Sequence, residues 1–176
     1  MKNGAVLFWA GLLYAGASLA EYGVALNLLP QTTIVQMTIW FGASLLFAIA
    51  AVISLRGKSG RGNVSSTAYN SAWSAVGIGI GVLMLSVFLL SRQVQDIQAV
   101  AFMIAPVVLA FYGMGWWVSA KISEQGWLKL VSIGCFLAAP VMAVMAGRSE
   151  QLLAYAAALI LFAAIPGFVI MRAARN

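Results

Sequence analysis

The chain has 176 residues, of which 63% are hydrophobic and only 8% charged, with mean hydropathy +0.98. A soluble domain carries about 25% charged and roughly 45–50% apolar residues, so this composition excludes a water-covered globule and puts most of the surface in lipid. The formal charge of +6 comes from ten basic and four acidic residues. In so apolar a chain the basic residues read as topology signals, not as a nucleic-acid footprint. Histidine is absent, which removes the commonest general base and metal ligand. Cys135 stands alone, so neither an intrachain disulfide nor a CxxC pair can form.

Charged residues separate six long apolar runs, 3–20, 22–55, 62–91, 97–120, 130–147 and 151–171. A bilayer-spanning helix needs about 20 predominantly apolar residues, and backbone in lipid must satisfy its own hydrogen bonds. The expectation is therefore an all-α, polytopic bundle of six transmembrane helices, about 4–22, 33–55, 71–91, 97–120, 127–146 and 150–172, in a single membrane domain. Alternating barrel strands are excluded by the continuous apolar character.

The first span carries a leader-like pattern: Lys2, an apolar run, and Ser18-Leu19-Ala20 ahead of Glu21. Gly11/Ala15 and Gly16/Ala20 give it a small-residue face. If the helix ends near Tyr22, Glu21 is an interfacial residue marking that end, the simpler reading. If it runs to Leu29, the acid lies about 12 Å inside at 1.5 Å per residue. A buried carboxylate needs a partner, and Arg92 and Arg148 are the cations expected on that side.

After the second span comes RGKSGRGNVSS, residues 56–66, the longest polar stretch. Its Gly57-Lys58-Ser59 is the tail of a phosphate-binding loop, but five residues before Gly57 stands Val52, where the loop requires glycine. The stretch 56–70 reads as a Gly/Ser linker held in the cytoplasm by three cations.

The third span holds Gly77, Gly79 and Gly81 in G-I-G-I-G. The pair Gly77/Gly81 is a G-x-x-x-G motif suited to close helix–helix approach. The segments AGASLAEYGVAL (15–26) and AYNSAWSAVGIG (68–79) resemble the first and third helices of the small multidrug transporters. That resemblance implies a site role for Trp73. It covers two short segments, and the family has four helices where this chain has six. Without it, Trp73 reads as an interface anchor beside Trp116, Trp117 and Trp127.

Pro106, Pro140 and Pro166 fall within spans four, five and six, where proline frees a carbonyl and kinks the helix. Met142 and Met145 at i, i+3 read as adaptable packing, not as copper ligands. No metal and no cofactor is expected.

With both termini in the cytoplasm, the inner segments hold Lys2, Arg56, Lys58, Arg61, Lys121, Lys129, Arg172 and Arg175, against Arg92 and Arg148 outside. This bias predicts an N-in/C-in protein of the bacterial inner membrane. No base–nucleophile pair is evident, so a non-enzymatic accessory, interaction or assembly subunit is expected, acting through helix packing with itself or another membrane protein. Its expected packing residues are Gly77 and Gly81. The alternative is a small-molecule transporter or channel, whose pathway would pass Glu21, Trp73, Pro106 and Pro140. Apart from the lipid bilayer and such a protein, no partner is implied, and no nucleic acid.

Overall fold

A computed structural model describes residues 3–55, 64–93 and 98–173. They form α1 (Asn3–Ala25), α2 (Thr33–Leu55), α3 (Val64–Leu90), the short α4 (Gln98–Ala101), α5 (Ile104–Ser123) and α6 (Gly126–Val144). The last span divides into α7 (Glu150–Leu159), a π-helical turn Ile160–Ala164 and α8 (Ile165–Ala173). Among the described residues five helices are long and apolar enough to cross a membrane: Gly4–Ala25, Thr33–Ser54, Thr67–Leu90, Gly126–Val144 and Glu150–Ala173. The chain is thus all-helical and of multi-pass membrane type.

The fourth expected span differs from its prediction. The run 97–120 is broken at residues 102–103, and α5 begins only at Ile104. Pro106 causes no mid-helix kink, because it stands in the first turn of α5, where no intrahelical N–H bond is lost. Pro140 is inside α6, as expected, and faces outward. Pro166 is the second residue after the π turn, whose wider ring accommodates a residue that cannot donate to the preceding turn.

α3 also starts earlier than expected, at Val64, so 64–70 is helix and not linker. The phosphate-loop-like Gly57-Lys58-Ser59 and the rest of 56–63 lie outside the described residues, as do Lys2, Asp96 and Arg175.

Two compact units divide the chain: 1–60 with 148–176, and 61–147. In the first unit α1 is central, packing against α2, α7, the π turn and α8. α1 and the last span run antiparallel with backbones nearly touching. A Cβ on Gly4 would stand 2.7 Å from the Gly167 carbonyl, and one on Gly11 would stand 2.4 Å from the Ala164 nitrogen. Of the small-residue face predicted on α1, Gly11 is used here, whereas Gly16 meets nothing within 4 Å.

The end of α1 shows why a two-helix hairpin follows. Asn27 takes φ 58°, the left-handed conformation that asparagine tolerates. Leu28 N–H then donates to Gly23 O at 2.9 Å and Asn27 N–H to Val24 O at 3.0 Å, a Schellman closure. Pro30 stops any continuation, and the Thr32 hydroxyl accepts from Val35 N–H at 3.3 Å as the N-cap of α2.

In the second unit Glu124, at φ 56°, ends α5, and α6 begins two residues later, so the two helices fold back on each other. α3 packs on α5. Burial is uneven: only 6% of the α2 span and 6% of the α3 span are buried, against 50% of the last span.

Candidate functional site

Two places in the described structure combine polar groups with apolar surroundings. The first surrounds Glu21. It stands four residues before the end of α1, about 6 Å below that end. This depth falls between the two positions considered from sequence. The carboxyl group has Gln36 and Trp40 of α2 as hydrogen-bonding neighbours, four residues apart on one face of that helix. Its Oε2 atom is shielded and has no hydrogen-bond partner. The pairing expected with Arg148 does not occur: α2, not the start of α7, supplies the neighbours. Arg92 belongs to the other unit, where its guanidinium lies 5.0 Å from the centroid of the Phe88 ring. α1 has no basic residue in its last turn, so an ionised Glu21 would also face the negative end of its own helix dipole.

The second place surrounds Trp73. This residue is buried and is not an interface anchor. Its indole N–H donates to Ser119 Oγ at 2.9 Å, and the Ser119 hydroxyl donates to the Gly115 carbonyl at 2.7 Å. The ring packs edge-on against Trp116 at 4.7 Å between centroids and against Tyr112 at 5.8 Å. Gly115 lets it approach, since a Cβ there would lie 3.2 Å from the Trp73 ring and from Val76. Tyr69 packs beside Trp73 at 6.5 Å, and its buried hydroxyl has no hydrogen-bond partner by geometry. Ser132 of α6 adds a bond to the Gly113 carbonyl at 2.7 Å. The Ser119 and Ser132 hydroxyls hold one helix to another or to their own preceding turn, which gives them a structural role.

The residues expected along a pathway are divided between the two units. Glu21 is in the first unit, and Trp73, Pro106 and Pro140 are in the second. Within the second unit Trp73 packs against the 112–119 stretch of α5, away from Pro106 at its start, while Pro140 is exposed on α6. Gly77 and Gly81 lie on an exposed face of α3 with nothing within 4 Å of either Cβ position. Only Gly79 between them has a neighbour, the Phe111 ring at 3.4 Å. Sequence reasoning missed Gly4, Gly113, Gly115 and Gly167 as packing sites; their spacing signals nothing, because their partners come from distant helices.

Among the described residues no group of three or more His, Cys, Asp or Glu could hold a metal. Cys135 is buried and free, and Met142 is buried in the same helix. An open groove on α2 is lined by the aliphatic side chains of Ala48, Ile49, Val52 and Ile53. It offers no convergent polar group to orient a small molecule.

What the fold and composition define is a class, a helical multi-pass membrane protein. No protein-family model, no curated protein and no solved structure matches the chain.

Proposed function

We propose that the protein is a non-enzymatic subunit of a bacterial inner membrane, acting through helix packing with a second membrane protein or another copy of itself. The observation that carries this reading is the position of Gly77 and Gly81. They form a close-packing motif on a span of which only 6% is buried, and no described residue lies within 4 Å of either Cβ position. A lipid-facing helix gains nothing from two glycines four apart, whereas a partner helix gains close backbone approach.

The proposed topology has six spans, with α4 and α5 together making the fourth, and both termini in the cytoplasm. Two features support it. Gly4 lies beside Gly167 and Met171, so the start of α1 and the end of α8 are on one side of the first unit. Lys121, Lys129 and Arg172 fall where the inner ends of spans would be, as the positive-inside rule requires.

The test is association. A Cβ at residue 77 or 81 meets no described atom within 4 Å, so in Gly77→Leu and Gly81→Leu the fold should survive while cross-linking or co-purification in mild detergent falls at least several-fold. Unchanged association in both variants would sink the reading.

One observation favours a second reading, transport. A carboxylate oxygen without a partner inside a spanning helix is expensive to keep and commonly marks an ion or substrate path. On this reading Glu21→Gln abolishes solute movement in liposomes, and Gly81→Leu is tolerated. On the packing reading the order is reversed.

A further inference from the structure

The α2 and α3 spans are buried to the same small extent, 6% of each, yet they expose different chemistry. The outward side of α2 is bulky and apolar: Ile34 is 77% exposed and Phe41 73%. Its mid-helix hydroxyls are satisfied within the chain, Thr38 on the Ile34 carbonyl at 2.7 Å and Ser44 with Tyr14 at 3.2 Å. Lipid suits such a surface.

α3 exposes Asn70, Ser74, Gly77, Gly81 and Met84, alternately four and three residues apart, so they line one seam along the helix. No described residue is hydrogen-bonded to the Asn70 or Ser74 side chain. Ser86 of the same helix turns its hydroxyl back onto the Val82 carbonyl at 2.8 Å, and Ser74 does not. Ser74 stands sixteen residues before the end of α3, about 24 Å along the axis, inside a hydrocarbon core roughly 30 Å thick. A polar group left in lipid without a partner is costly. The direction of the seam is fixed from behind. Tyr69, Trp73 and Val76 are buried, and Trp73 is tied to Ser119 of α5.

The chemistry of the seam suits a second copy of this chain. Copies of one chain insert in the same orientation, so their α3 helices run parallel. A two-fold axis along the membrane normal then sets each seam residue opposite its own equivalent. Amide and hydroxyl groups both donate and accept, so Asn70 and Ser74 each complement themselves. No charged residue occurs from Val64 to Leu90, so no like charges are brought together within the helix. The two glycines let the backbones approach closely.

We propose that the protein forms a parallel homodimer through this seam, with Ser74 facing Ser74 and Gly81 facing Gly81. The proposal rests on the packing reading of α3 and names its partner.

The experiment is oxidative cross-linking in native membranes of single-cysteine variants in a Cys135→Ala background. Ser74→Cys replaces an exposed side chain and so keeps the fold. Ala75→Cys, also exposed but about 100° around the helix, is the control. The expected result is a disulfide-linked species of twice the chain mass for S74C, at least several-fold stronger than for A75C. Adding Gly81→Leu should abolish it. No link at residue 74, equal linking at 74 and 75, or a link that survives Gly81→Leu overturns the proposal. Co-purification separates that failure from failure of the packing reading. If Gly81→Leu releases a different membrane protein, the packing reading stands and only the homodimer falls; if it releases nothing, both fall.

Discussion

The two units both rest on glycine, but they use it differently. In the first, glycine lets backbone meet backbone: Gly4 and Gly11 of α1 lie against Gly167 and Ala164 of the last span. In the second, glycine makes room for rings: Gly113 receives Phe136, and Gly115 receives Trp73. The difference matters because a backbone cannot step aside, whereas a ring can tilt. Where there is no hydrophobic drive between helices in lipid, such contacts supply much of the cohesion.

The largest effect is therefore expected at Gly11. Even alanine there would put a Cβ 2.4 Å from the Ala164 nitrogen and 2.9 Å from its Cα, so the helices must separate. Overpacking of this kind costs about 1–3 kcal/mol or more. Gly11→Ala should markedly lower the unfolding midpoint in detergent, and wild-type stability in this variant would refute the close backbone contact. Gly115→Ala faces ring atoms at 3.2 Å and should cost less, since Trp73 can shift by a few tenths of an ångström.

A different lever tests the polar part of the second unit. Ser119→Ala leaves the buried Trp73 N–H without its acceptor. An unsatisfied buried donor costs about 1–3 kcal/mol. Trp73→Phe in the Ser119→Ala background removes that donor and should add little further loss. Additive losses in this double-mutant cycle would mean that the two side chains act separately.

These contrasts also mark what could be read from sequence. Span existence was legible because lipid imposes a simple demand, long uncharged apolar runs, and 33–55 coincides with α2. The start of α3 was not, because Thr67 and Asn70 have linker composition. They are nevertheless helical, in continuity with a helix anchored by Tyr69 and Trp73. Trp73 itself was misplaced, since a tryptophan near a span's end looks the same whether it faces lipid headgroups or a neighbouring helix. Pro106 was misread for a boundary reason: two residues decide whether proline kinks a helix or opens one. For Glu21, its rarity as an acid in a span was legible but its neighbours were not, because Gln36 and Trp40 become adjacent only when the hairpin closes.

A smaller effect is expected at that hairpin. The Thr32 hydroxyl caps α2 through Val35 N–H. Replacing a threonine N-cap with alanine typically costs about 1 kcal/mol. Thr32→Ala should lower stability slightly, and Thr32→Ser should restore it. Failure of serine to rescue would show that the threonine methyl, not the hydroxyl, is what matters.

The smallest effect belongs to Gly16, on the same helix as Gly11 but with no atom within 4 Å of its Cβ position. Nothing in the described fold opposes a side chain there. Glycine inside a helix is destabilising by roughly 0.5–1 kcal/mol relative to alanine, because more backbone freedom is lost on ordering. Gly16→Ala should therefore leave the unfolding midpoint unchanged or raise it slightly, in sign opposite to Gly11→Ala five residues away. The pair isolates contact from propensity, since both substitutions make the same chemical change in one helix. If Gly16→Ala destabilises as strongly as Gly11→Ala, then α1 meets a surface on its exposed side that the isolated chain does not provide. Its cross-linking pattern would then be compared with that of Gly81→Leu, to learn whether α1 and α3 both serve the same association.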